Sequence, residues 1–74
     1  MQIREVLSLN LKRFRQANGL SQEELAHRAG LDRTYISALE RCVYSASIDV
    51  LEKLAEQLGT DPAELLRKPG GPNS

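Results

Sequence analysis

With a single cysteine among its 74 residues, the chain cannot staple itself with an internal disulfide, a pattern that fits a reducing compartment. Histidine is equally scarce. His27 is the only one; it lies beside Arg28 in a helical stretch and reads as an exposed polar residue. Cys42 has no histidine near it in sequence, and no metal-ligand spacing can be written. No catalytic residue, metal or cofactor is therefore expected. Only three residues are aromatic and none is tryptophan, so Leu, Ile, Val and Ala must fill the core. No apolar run approaches the ~18 residues of a membrane span, and the N-terminus lacks the basic-then-apolar pattern of a secretion signal. The expectation is one small soluble domain in the cytoplasm, near the lower size limit for folding without staples.

An excess of charge of either sign is missing too. Ten basic and ten acidic residues give a formal net charge of +0 and a pI near 6.6. Overall charge thus gives no pointer to nucleic acid. The distribution is uneven: residues 1–41 hold seven basic and five acidic side chains, and residues 42–74 hold three and five. The N-terminal part is the basic one.

What the chain does have is Ser21 to Arg41, SQEELAHRAGLDRTYISALER. Ser21 followed three residues later by Glu24 is a capping box, each side chain satisfying the other's backbone N–H. Leu25, Ala26 and Ala29 then line one face of a helix. Gly30 ends it, since glycine takes the left-handed cap without a Cβ penalty. Asp32 caps a second helix after a very short connection. Ile36 and Leu39, spaced i, i+3, should face inward. Arg33, Thr34, Ser37, Ala38 and Arg41 should face outward. Two short helices with a small residue, Ala26, at their crossing describe a helix-turn-helix.

This stretch resembles the Cro/repressor-type helix-turn-helix family. Ala26, Gly30 and Ile36 match its small residue, turn glycine and β-branched core residue, and the opening Gly19 to Ala26 and the Ser37 to Glu40 run match as well. The resemblance implies an all-α, five-helix lambda-repressor-like DNA-binding domain over residues 1–68, with the helix-turn-helix at about 21–41. It also implies an ion pair between Arg15 and Glu40. After Glu40 the pattern breaks, because Cys42 stands where most members carry glycine, so an altered loop is expected there. LDRTYISALER followed by a non-glycine loop looks more like the controller proteins of restriction–modification systems.

Around the motif, residues 3–17 read as a first helix with Leu7, Leu11 and Phe14 inward. A second apolar line, Ile3, Val6 and Leu9, either packs on the C-terminal part of the chain or serves a subunit contact. Ser47 can cap a fourth helix with Ile48, Leu51, Leu54, Ala55 and Leu58 as its buried stripe. Asp61-Pro62 starts a short fifth helix, about Pro62 to Arg67. The Pro/Gly-rich residues 69–74 read as a disordered tail.

DNA contacts can be ranked by mechanism. Gln22 opens the first motif helix, where its amide and the free backbone N–H groups suit a phosphate, the use the family makes of this position. Arg33 and Thr34 open the second helix. Arginine can fork onto guanine O6 and N7, and threonine can offer a methyl or hydroxyl to a base. Ser37 lies one turn on. Tyr35 either gives its hydroxyl to a phosphate or packs its ring on the preceding helix. Arg41 suits the backbone beyond the helix end. Members of the family read two-fold operators as dimers, so a homodimer on double-stranded DNA is expected, without a small-molecule ligand or membrane. Val50, Leu65 and Leu66 are the candidate dimer residues, with the intrachain core as the other place for the leucines. The competing function is an antitoxin-like module whose main partner is another protein.

Overall fold

The computed structural model describes residues 1–69. Among them the chain forms five helices and no strand: α1 (Ile3–Ala17), α2 (Gln22–Ala29), α3 (Arg33–Glu40), α4 (Ile48–Leu58) and α5 (Pro62–Leu65). The all-α expectation is met. Most of the tail expected over 69–74 lies outside the described residues.

Helix starts follow the capping residues. The Glu24 N–H donates to Ser21 Oγ at 3.0 Å and the Ser21 N–H to Glu24 Oε1 at 3.4 Å, closing the capping box of α2. Asp32 Oδ1 accepts from the Thr34 N–H at 2.9 Å, and Ser47 Oγ from the Val50 N–H at 3.2 Å. Each satisfies an N–H that a helix start leaves free. Asp61 stands at the start of α5 but makes no side-chain cap bond, and α5 ends at Leu65, shorter than expected.

Leu7 and Leu11 of α1, Leu25, Ala26 and Ala29 of α2, Ile36 and Leu39 of α3, and Leu51, Leu54, Ala55 and Leu58 of α4 form one core with Leu20 and Leu65. Phe14 lies half-buried against it. α3 packs against both α1 and α2, while α4 joins α2 to α5 and α5 returns to α1. The motif is thus clamped from behind by the rest of the bundle.

Several expectations fail, each for a physical reason. Ile48 is 84% exposed, not part of the α4 stripe. It is the first residue of the helix and sits roughly 70° around from the centre of Leu51, Leu54, Ala55 and Leu58 at 100° per residue. Ala38, expected outward, is buried. Because α3 packs against two helices, its covered arc is wider than the Ile36–Leu39 pair, and the Val43 N–H folds back onto the Ala38 carbonyl at 2.9 Å. The Ile3, Val6, Leu9 line divides: Val6 is fully buried, Ile3 and Leu9 exposed.

The loop after Glu40 is the clearest correction. No rearrangement avoids the glycine position; Cys42 takes it at φ 62. The other three positive-φ positions among the described residues are glycines, Gly19, Gly30 and Gly59. The Cys42 N–H bonds the Leu39 carbonyl at 3.1 Å and the Val43 N–H the Ala38 carbonyl, the paired bonds that close a helix end around a left-handed residue. A Cβ there costs about 1–2 kcal/mol, against about 0.5–1 kcal/mol for the extra freedom glycine loses on folding. Cys42→Gly is accordingly expected to stabilise the domain by about 0.5–1 kcal/mol. Urea titration checks this, and a lowered midpoint would show that the half-buried thiol contributes more than the strain removes.

Candidate nucleic-acid interface

The surface that presents the motif is set by one ion pair beneath it. Glu40, the last residue of α3, has a side chain only 4% exposed. Its Oε2 accepts from Arg15 Nε at 2.6 Å and its Oε1 from Arg15 Nη2 at 3.0 Å, a two-pronged pairing of guanidinium and carboxylate. Arg15 Nη1 also donates to the Leu20 carbonyl at 2.8 Å, fixing the turn that leads into α2. Hydrogen bonding to Glu40, aided by its charge, raises the guanidinium pKa above its ordinary value although burial opposes this. The pair implied by the family resemblance is present.

Gln22 joins the same network. Its Nε2 donates to Glu40 Oε1 at 3.1 Å, so one of its two amide protons is already engaged. The side chain is half-buried at the mouth of an open cleft lined by Arg15, Ser21, Gln22, Glu23 and Arg33. Across that cleft Arg33 and Thr34 are exposed at the start of α3, with Ser37 half-buried one turn on and Arg41 exposed beyond its end. Behind them Ile36 and Leu39 are almost wholly covered. Tyr35 divides its surface: half-buried against the core, its ring also lies 6.1 Å from that of Tyr44 at 43°. This arrangement can offer anion-binding N–H groups and a guanidinium at one end of an exposed helix. Among the described residues no cluster of three His, Cys, Asp or Glu side chains is placed to hold a metal.

The candidate dimer residues separate. Leu65 is fully enclosed in the core of its own chain and has no surface left for a second subunit. Val50 and Leu66 are half-buried against that core and keep part of their side chains outside.

Sequence reasoning missed Asn10. It is buried, and its Nδ2 lies 3.0 Å from the Leu65 carbonyl, 2.7 Å from that of Arg67 and 3.3 Å from that of Glu64, tying α1 to the end of α5. The signal was there: Leu7, Asn10, Leu11 and Phe14 share one helical face, and a polar residue inside an apolar stripe must find partners.

A short helix laid against a second one, its inner face buried and its outer face carrying arginine, threonine and serine, defines a helix-turn-helix DNA-binding domain. The chain belongs to the helix-turn-helix family of transcription regulators, which it matches over residues 11–65. A hypothetical transcription factor of Neisseria meningitidis is 46% identical over 67 residues, covering 90% of this chain and 63% of that protein, so the chain spans less than two thirds of that relative. The control protein C.SmaI of Serratia marcescens is 41% identical over 70 residues, covering 95% of this chain and 83% of that one. Among solved structures, the Neisseria transcription factor NHTF superposes with a TM-score of 0.89 at 46% identity, covering 92% and 78% of the two chains. The restriction–modification controller C.AhdI of Aeromonas hydrophila gives 0.81 at 40% identity, covering 84% and 94%. SinR, a biofilm regulator solved in complex with DNA, gives 0.80 at 34% identity, covering 82% and 98%. Relatives thus include both transcription factors and restriction–modification control proteins. No helix among the described residues is long and apolar enough to cross a membrane.

Proposed function

We propose that the chain regulates transcription in the cytoplasm by binding a two-fold operator in duplex DNA as a homodimer. The observation that carries the reading is the division of α3: Ile36 and Leu39 are locked in the core while Arg33 and Thr34 stand free at the leading end. In this reading α3 enters the major groove, Arg33 and Thr34 address base edges, and Ser37 follows one turn later. Gln22 and Arg41 hold phosphates on either side, and Tyr35 adds its hydroxyl to the backbone contacts. One such helix reads only a few base pairs. A second copy placing its own α3 about 34 Å away supplies the rest. Val50 and Leu66 are the dimer residues; Leu65 supports them from inside. The complex of SinR with DNA and the controller proteins among the relatives support this reading.

The test is selection of binding sites from random duplex DNA at two salt concentrations. Enrichment of a palindrome with half-sites about one helical turn apart, weakening steeply with salt, is the expected result. If no sequence is enriched and retention is weak at both salts, the operator reading is wrong. The exposed Ile3 and Leu9 then direct attention to a protein partner, as in an antitoxin-like module.

A further inference from the structure

We infer that Glu40 is a positioning residue for the phosphate contact of Gln22, holding the amide so that an N–H rather than its oxygen faces the cleft; the inference rests on the DNA-binding reading above. A primary amide offers two donors on nitrogen and an acceptor on oxygen, and a phosphate can use only the donors. A freely rotating glutamine at the cleft mouth presents either end. Here the choice is made, because the Glu40 carboxylate is an acceptor and only the Gln22 nitrogen can face it. The 3.1 Å Nε2–Oε1 bond therefore sets which end of the amide faces Glu40 and uses one proton. The second Nε2 proton remains at the cleft lined also by Arg15, Ser21, Glu23 and Arg33.

The anchor is rigid because Glu40 is itself held. Arg15 grips both of its oxygens, at 2.6 and 3.0 Å, and is in turn tied to the Leu20 carbonyl at 2.8 Å. The first residue of α2 is thereby oriented directly by the last residue of α3, which a side chain of α1 holds in place. A side chain whose rotamer is fixed before binding loses less entropy on meeting its ligand, so the contact gains affinity from a residue that touches no DNA.

A double-mutant cycle separates positioning from mere support. The probe is the duplex recovered by selection, with binding measured at a temperature where circular dichroism shows every variant folded. Gln22→Ala is expected to weaken binding of the dimer about a hundredfold in the wild-type background, about tenfold for the hydrogen bond to a charged group lost in each subunit. In a Glu40→Gln background the same change is expected to cost the dimer less than about fourfold, since an amide at position 40 offers Gln22 either an oxygen or an N–H and no longer selects which end of the Gln22 amide faces the cleft. Equal losses in both backgrounds overturn the inference while leaving DNA binding intact; failure of the wild-type chain to bind any duplex instead overturns the functional reading. Should Glu40→Gln not fold, NMR of the wild-type chain decides. One Gln22 side-chain amide proton is expected to be protected from exchange and the other to shift when the duplex is added. Two protons that both exchange as fast as those of an exposed glutamine, neither shifting when the duplex is added, overturn the inference.

Discussion

Arg15→Ala is expected to remove about 3–5 kcal/mol of stability, because it strands the Glu40 carboxylate in a site where its side chain is only 4% exposed. At ~0.05–0.15 kcal/mol per residue a chain of this length holds about 4–11 kcal/mol in total, so the loss is a large share of it. The change also frees the Leu20 carbonyl and the turn into α2. Thermal unfolding should show a midpoint lowered by at least about 12 °C, at roughly 4 °C per kcal/mol. Arg15→Lys should fall between: it keeps the charge but replaces a planar fork by a single ammonium, so Glu40 loses one of its two bonds from this side. The pH dependence has a definite sign. Arg15 is raised above its ordinary value by Glu40, so its contribution is fully present below that ordinary value and disappears only as pH climbs through the still higher folded value. Between about pH 6 and about pH 10 this arginine therefore adds no slope to stability. If Arg15→Ala unfolds within a few degrees of the wild type, water must be solvating Glu40 and the pair holds little.

How far the sequence reveals this molecule depends on whether a feature is local. Ser21, Asp32 and Ser47 cap helices through bonds to residues two or three positions away, so their roles can be read from spacing alone. Gly30 likewise sits at φ 68 where the motif requires it. Features that depend on a third element are not readable in that way. Ala38 is covered because α3 packs on two helices at once, and Ile48 is bare because the first turn of α4 lies at the edge of its stripe. Asn10 finds its carbonyl partners more than fifty residues away. The bond from Gln22 to Glu40 requires the turn between α2 and α3 to bring a helix start beside a helix end. Cys42 shows a different limit. Propensity disfavours its conformation, yet two backbone bonds and the packing of α3 over-determine it, and the chain carries the strain. The exposed polar start of α3, Arg33 and Thr34, was legible because exposure and polarity at one end of a helix need no tertiary knowledge.

Arg33→Ala is expected to leave the fold intact and erase much of the preference for the selected operator. Arg33 is exposed and its side chain makes no hydrogen bond or ion pair among the described residues, so truncating it should change stability by less than about 0.5 kcal/mol. A guanidinium forked onto guanine O6 and N7 discriminates by about 1–3 kcal/mol. A two-fold complex uses it twice, so the ratio of operator to random-sequence affinity should fall by about 2–6 kcal/mol, or roughly 30-fold to more than 10⁴-fold. Titrating both duplexes with wild type and variant reads that ratio directly. Arg33→Lys sharpens the result: an ammonium retains the attraction to phosphate but not the planar fork, so general affinity should largely return while discrimination stays low. The opposite pattern is equally readable. If Arg33 sits on a phosphate, the variant loses affinity uniformly across sequences and the salt slope drops by about one per subunit. Lysine then restores everything, and base reading shifts to Thr34 and Ser37.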